Sequence, residues 1–470
     1  MNTKPPLQDR ACDVLVVGAG VVGCAVTRRL ALEGARVVLA EKAGDILDGA
    51  SKGNSAILHT GFDAAPGSIE QACISEGYRE FREIHGRLGL PLVEGGALVL
   101  AWDDTQAERL PDIVLRAHAN GVTDVEHIGA AAAAALVPGL GPGLRSAVRV
   151  PGECLVDPWS TPLAYLLQAQ AHGAEFLNHC EVREGHFEGD RWRLPTSRGE
   201  LRARWLVNCA GLYGDILHRR LTGKTPFRIR PRKGQFVIYD KSAGRMTGTI
   251  LLPVPSETTK GIVVCPTVFG NLLVGPSSEE QDSRDDTEVD TEVLKTLRSV
   301  GESVLPGLNS HGVTAVYAGI RPASESRDYQ ILTDRERQYL CLGGIRSTGL
   351  SAALGIARQA CRTICANGHE YSPPERIRWP RAPQISEAGE RDWMRPGNGG
   401  IVCHCELVTR REIEHALKGP LPVCSLAGLK RRTRVTMGRC QGFYCSAELG
   451  ELTAGFLEPP MDAVIRQPAS

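Results

Sequence analysis

The stretch from Asp13 to Glu41 restricts the folds open to this chain more than any other. Asp13 to Val17 is an apolar run of strand length. Gly18-Ala19-Gly20-Val21-Val22-Gly23 follows, then a helical stretch to about Leu32, a second apolar strand from Ala35 to Ala40, and Glu41. Each part has a mechanical task. Gly18 permits the tight turn, Gly20 allows the backbone to approach a pyrophosphate, and Gly23 lets helix and strand pack closely. The helix N-terminus offers unpaired N–H groups and its positive dipole end to the phosphates. Glu41 follows at the spacing of an acid that binds ribose hydroxyls. A GxGxxG alone is weak. Set in strand–turn–helix–strand–acid order, it specifies a dinucleotide site, with Val21 and Lys42 beside the same ligand.

Two further segments favour FAD over a nicotinamide cofactor. Val207-Asn208-Cys209-Ala210-Gly211 ends a strand in small residues, so Ala210 and Gly211 can lie against a ligand. A late strand–glycine–helix junction, Leu342 to Ser351, contains Gly344, Gly349 and Leu350. A helix N-terminus there can face the pyrimidine edge of a flavin and stabilise its reduced, anionic form. Gly139 to Gly143 also resembles the glycine pattern, but it follows an Ala-rich helix rather than a strand.

The rest of the pattern is mixed. Helices are expected from Gly67 to Leu88, through most of Asp103 to Leu136, from Asp157 to His172 and from Gly349 to Asn367. Strands are expected at 174–177, 181–184, 191–194, 201–207, 234–239, 261–266, 271–275 and 339–343. The fold class is α/β: a Rossmann-type FAD domain interleaved with a β-sheet domain, plus a small, mainly helical C-terminal module. The expected divisions are 11–370 for the interleaved pair, 371–400 for a Pro-, Arg- and Gly-rich linker, 401–457 for the module and 458–470 for a tail.

These features resemble the glycine/D-amino-acid oxidase (DAO) family of flavoproteins, in the branch of glycerol-3-phosphate and L-2-hydroxyglutarate dehydrogenases. The resemblance rests on Gly49 to Asp63, Pro66-Gly67, the VNCAG strand end, Ala318 to Pro322 and Gly343 to Ala357. It implies an FAD domain roofed by a β-sheet, with Ser51, Asn54 and Ser55 as hydrogen-bonding partners of FAD. It also implies that His59 lies near the flavin and that Arg321 faces an anionic substrate. A histidine suits proton transfer near neutrality, and a guanidinium fork suits a carboxylate or a phosphate. The bland alternatives are a flavin-contacting His59 and a surface Arg321. Lys52 and Lys233 are weaker candidates.

The chain has 470 residues and 15 cysteines. Cys24, Cys209, Cys265 and Cys341 read as small buried hydrophobes. Cys403-His404-Cys405 and Cys440-Gln441-Gly442-Phe443-Tyr444-Cys445 form a C-x-C…C-x4-C set, which can hold zinc or an iron–sulfur cluster. The tight C-x-C pair beside a flavoenzyme favours [2Fe–2S]. Cys403 to Thr409, Lys430 to Arg434 and Met437 to Gly442 resemble the bacterioferritin-associated-ferredoxin-like domain. By that resemblance Cys403, Cys405, Cys440 and Cys445 are the ligands. Cys424, between the pairs, and His404, which points away if its neighbours converge, are left out. The basic run Lys430 to Arg434 then offsets the charge of the cluster or forms a solvated face.

A relay of this kind suits a dehydrogenase rather than an oxidase, with electrons leaving for a soluble carrier, a quinone or a partner subunit. Basic and acidic residues balance at 54 each, so nothing points to nucleic acid. No apolar run spans a bilayer. The opening MNTKPPLQDR has no signal-peptide character. A cytoplasmic protein, peripheral to the membrane at most through a partner, is expected. The substrate expected is sn-glycerol 3-phosphate, with a 2-hydroxy acid such as L-2-hydroxyglutarate or an amino acid or secondary amine as alternatives. Two further readings are an electron-relay or assembly component that turns over no substrate, and a zinc-binding interaction module.

Overall fold

The computed structural model describes residues 10–255, 261–367 and 371–461. Most of the opening segment and the end of the 458–470 tail lie outside these residues. Two sheets organise the oxidoreductase part. In the first, Arg10–Val17 lies between Gly199–Asn208 and Val37–Ala40, parallel to both, and Glu175–Leu177 extends the parallel edge. The far edge of Gly199–Asn208 is shared. Its first half pairs with Arg191–Thr196, and its last residues pair in parallel with Tyr339–Gly343.

Alternation along Arg10–Val17 divides its side chains between two cores. Val14 and Val16 join the cluster under Val21–Leu32, Ser160–Ala171 and Gly349–Cys365, whereas Leu15 and Val17 join Trp192, Leu217 and Phe227 on the opposite face. Burial on both faces explains the continuous apolar run. On the first face Glu80 bonds Arg28 (2.8 Å), Arg29 (2.6 Å) and Arg358 (2.8 Å). One buried carboxylate thus ties three helices together behind the sheet.

Among the described residues the second sheet has nine strands. Ile229–Tyr239 runs antiparallel to Val313–Ser324 on one edge and to Leu272–Gly275 on the other. The order continues through Val263–Pro266, Ile250–Pro253, Ala97–Ala101 and Ser146–Val150 to Glu126–Gly129. Chain segments on both sides of the Gly199–Asn208 strand build this sheet, which is the interleaving expected.

Asp103 to Leu136 is mostly helical, as expected, with Glu126–Gly129 a strand between Leu110–Ala119 and Ala130–Leu136, because Ser146–Val150 supplies a ladder for it. One strand expectation is corrected. Residues 181–184 form no strand. Val182 makes a single bridge to Thr196, and the outer strand is His186–Glu188. The strands from 186 to 208 belong to the dinucleotide sheet.

Residues 371–400 hold one short 3-10 turn, Asp392–Met394, yet lie along the body. Ala382 N donates to Leu88 O (2.8 Å), Glu387 N donates to Val268 O (2.8 Å), and Arg87 stacks over Trp379 at 3.8 Å. The chain then forms the small C-terminal module, a two-stranded pair (Ile401–Cys403, Val408–Thr409) with helices Arg410–Lys418, Leu426–Thr433 and Ser446–Thr453. Thr409 and Glu412 cap the first of these helices reciprocally. Val402, Val408, Ile413, Leu429 and Leu449 form the module's own core.

Candidate active site and cysteine module

The glycine loop is built as its spacing implied. Gly18 has φ +103°, which favours glycine, and a β-carbon there would meet the Cys209 carbonyl. A β-carbon on Gly23 would overlap the carbonyl oxygen of Gly18. Val21 N donates to Ser51 Oγ (3.0 Å), so the Ser51 loop is fastened to the start of the helix. Glu41 accepts from Ala19 N (2.7 Å) and Ala43 N (2.8 Å), and burial pushes its carboxyl above the usual range. The overlap at Gly23 involves backbone, which cannot rotate away. Gly23→Ala is therefore expected to yield protein with little or no bound flavin, read from visible absorbance of the purified protein.

Between the two sheets opens a cavity of about 1340 Å³, large for a small-ligand site. Gly18, Gly20, Val21, Glu41, Lys42, Ser51, Asn54, Ser55, His59, Ala210, Gly211, Arg321, Gly344, Gly349 and Leu350 all line it. Gly23 does not, consistent with its packing task. Asn54 closes its own turn, donating to Ser51 O (3.0 Å) and accepting from Ala56 N (2.7 Å). Lys42 Nζ sits 3.7 Å from the centre of the Tyr213 ring.

At the late junction Gly344 has φ +65°. Thr348 does not cap the helix Gly349–Cys365 with its side chain. Its Oγ1 instead donates to Glu70 Oε1 (2.6 Å) and shares a bond with the Tyr329 hydroxyl (2.6 Å). The N-cap position therefore leaves the helix start open toward the cavity.

His59 has a partner that sequence reasoning missed. Its Nδ1 lies 2.7 Å from Glu153 Oε2, and Glu153 is fully buried. The other Glu153 oxygen accepts from Thr60 N (2.6 Å) and Thr60 Oγ1 (2.8 Å). With both carboxylate oxygens accepting, the neutral ring holds its proton on Nδ1 and its lone pair on Nε2. His59 N donates to Ser351 Oγ (2.8 Å), which ties the histidine loop to the late helix.

Arg321 Nη2 donates to Lys233 O (3.0 Å) and Ser277 O (2.7 Å), leaving Nη1 as its uncommitted edge among the described residues. Burial, reinforced by Arg232, lowers its guanidinium to about 10, so it remains a cation at neutral pH. Lys52 pairs with Asp48 at 3.5 Å. Lys233 pairs with Asp286 at 2.8 Å and is not part of the cavity wall.

The four module thiols lie together, Cys405 beside Cys440 and Cys403, and Cys445 beside Cys403 and Cys440. Backbone N–H groups of Tyr444, Gly442 and Phe443 hold the Cys440 thiol below its ordinary range. Among the described residues no three Cys, His, Asp or Glu side chains are set to hold a single ion. Four neighbouring thiolates can ligate a two-iron cluster or a tetrahedral zinc. His404 is exposed, and Cys424 lies elsewhere, donating to Gly44 O (3.0 Å).

The basic run is corrected on one count. Arg431, Arg432 and Arg434 are buried, so they form no solvated face. Their hydrogen-bond partners include Ile46 O, Asp45, Glu406 and Asn271. Arg432 pairs with Asp45. Arg434 donates to Glu406 Oε2 (2.9 Å) and lies 4.1 Å over Phe269, a ring that stacks on Trp159 at 5.2 Å.

Residues 13–363 match the DAO family, FAD dependent oxidoreductase. The chain belongs to that family. Residues 401–454 of this flavoenzyme match the BFD-like [2Fe-2S] binding domain, so its cofactors are FAD and a [2Fe–2S] cluster. The oxidoreductase is 29% identical to a glycerol 3-phosphate dehydrogenase of Caloramator mitchellensis, over 94% of each chain. It is 30% identical to a subunit of the anaerobic glycerol-3-phosphate dehydrogenase of Escherichia coli strain K12, over 95% of this chain and 89% of that one. Its fold is that of the FAD-bound L-α-glycerophosphate oxidase of Mycoplasma pneumoniae. That match has a TM-score of 0.75 and 24% identity, covering 80% of this chain and all of the other. No helix among the described residues is long and apolar enough to cross a membrane.

Proposed function

We propose that this FAD-dependent oxidoreductase is a dehydrogenase that oxidises sn-glycerol 3-phosphate and passes the electrons through its [2Fe–2S] cluster to a soluble carrier, a quinone or a partner subunit. The observation that carries the reading is the end-to-end similarity to the Caloramator mitchellensis dehydrogenase, which extends over 94% of both chains. In this reading residues 11–370 are the catalytic unit, 371–400 the connector, 401–457 the relay and 458–470 a tail. The protein works in the cytoplasm or at the inner face of a membrane through its partner.

FAD, when bound, would supply the hydride acceptor. His59 Nε2 takes the hydroxyl proton, with Nδ1–H fixed on Glu153 (2.7 Å). Arg321, cationic and beside Arg232 in the cavity wall, offers Nη1 to the phosphate. Lys42, Ser51, Asn54, Ser55 and Glu41 hold the cofactor on the glycine loop. Gly344, Gly349 and Leu350 present the start of the late helix to it. Cys403, Cys405, Cys440 and Cys445 hold the cluster.

Anaerobic addition of sn-glycerol 3-phosphate to the oxidised protein is expected to bleach the flavin absorbance and then reduce the cluster. A flavin that stays oxidised would sink the reading. The chain is also 24% identical to the mitochondrial L-2-hydroxyglutarate dehydrogenase of Caenorhabditis elegans, over 68% of its length. Bleaching by L-2-hydroxyglutarate and not by glycerol phosphate would put that substrate in its place.

A further inference from the structure

The loop after Glu41 is held from two sides. On its inner side Leu47 N donates to Ala19 O (3.0 Å), the carbonyl between the first two motif glycines. On its outer side lies the cysteine module. Arg431 Nη2 donates to Ile46 O (3.1 Å), and Cys424 Sγ donates to Gly44 O (3.0 Å). The Arg432 guanidinium bonds both Leu421 O and Asp45 Oδ1. That same Asp45 oxygen accepts Ile46 N at 2.8 Å. Asp45 is 4% exposed and Arg432 8%. A β-carbon on Gly428 would run into the Asp45 carboxylate, so the backbone of Leu426–Thr433 packs directly on it. Asp45 itself is not in the cavity wall, and whatever it does there acts through its neighbours.

We propose that Asp45 is a positioning residue for FAD: paired with Arg432, it presses residues 44–48 against Ala19, so that module docking and FAD binding reinforce each other. A buried carboxylate stripped of its cation is expensive, and the least costly response is for the loop to swing out and hydrate it. That movement withdraws Leu47 from Ala19, whose own N–H donates to Glu41 (2.7 Å) and so fixes the glycine turn. Linkage makes the effect reciprocal: whatever tightens the glycine loop tightens the module by the same free energy. The pairing spans nearly the whole chain and gives the basic run a task unconnected with the charge of the cluster.

The test uses full-length protein with flavin removed and added back. FAD is expected to slow hydrogen–deuterium exchange in peptides covering residues 424–434, far from the cavity in sequence. Asp45→Asn and Arg432→Gln are each expected to raise the FAD dissociation constant roughly tenfold, with the double variant no worse than either. Exchange at 424–434 that ignores FAD, or dissociation constants that stay at the wild-type value, would overturn the proposal. A purely structural pair would lower the melting temperature and leave FAD affinity alone. If Arg432→Gln fails to fold, the exchange experiment on unaltered protein decides. Neither readout involves substrate, so this idea and the glycerol phosphate reading stand or fall separately.

Discussion

Glu153→Gln is expected to slow flavin reduction by substrate by roughly a hundredfold, and His59→Asn by at least as much, the usual share of a positioned proton acceptor. The reason is donor counting. Glu153 accepts from His59 Nδ1 at one oxygen and from Thr60 N and Oγ1 at the other. A glutamine has a single oxygen, and its NH2 must face either the histidine or the threonine. Turned toward His59, it demands a bare Nδ1, so the proton moves to Nε2 and the ring can no longer accept from substrate. Turned toward Thr60, it sets donor against donor in a fully buried site. Anaerobic stopped-flow at saturating substrate measures the step, with the oxidised flavin spectrum as a check that FAD is still bound. A Glu153→Gln rate equal to wild type would show that the dyad moves no proton.

Cys405→Ser is expected to act at the other end of the path. Serine removes one thiolate from the Cys405–Cys440 pair and leaves the oxidoreductase body untouched. Iron and acid-labile sulfide should fall together. Flavin reduction by substrate should continue at wild-type speed, while turnover with a one-electron acceptor is lost. Metal analysis of the unaltered protein is the companion measurement. Zinc in place of iron and sulfide would remove the relay and leave the module an interaction domain.

What is legible in the sequence is whatever depends on neighbours along the chain. The strand–glycine–helix unit and the C-x-C pair are local patterns, because a turn or a pair of ligands is built from adjacent residues. His59 is visible for the same reason, inside a contiguous polar loop. Its partner is not: Glu153 lies 94 residues further on and meets His59 only because Cys154–Val156 pairs with Ile57–Leu58. Glutamate in PGEC has no local signature that separates it from a surface acid. Arg432 is opaque for the same cause on a larger scale, since its partner Asp45 is 387 residues away. A cluster of arginines shows charge in sequence, and only the packed fold shows what neutralises it. The strand Glu126–Gly129 is hidden because its ladder partner decides its conformation more than its own residues do.

The connector 371–400 has a consequence for how such enzymes can be assembled. In sequence it looks like a seam at which an iron–sulfur cassette could be added or exchanged. In the structure it is part of the wall. It bonds Leu88 and Val268, it stacks Trp379 under Arg87, and it sends the buried Arg391 into the module, where Nη2 donates to Glu406 O (3.0 Å). A graft that moves only residues 401–457 to another flavoprotein therefore leaves behind part of its anchorage. The unit to be moved is the module together with residues 371–400 and the body residues they bond.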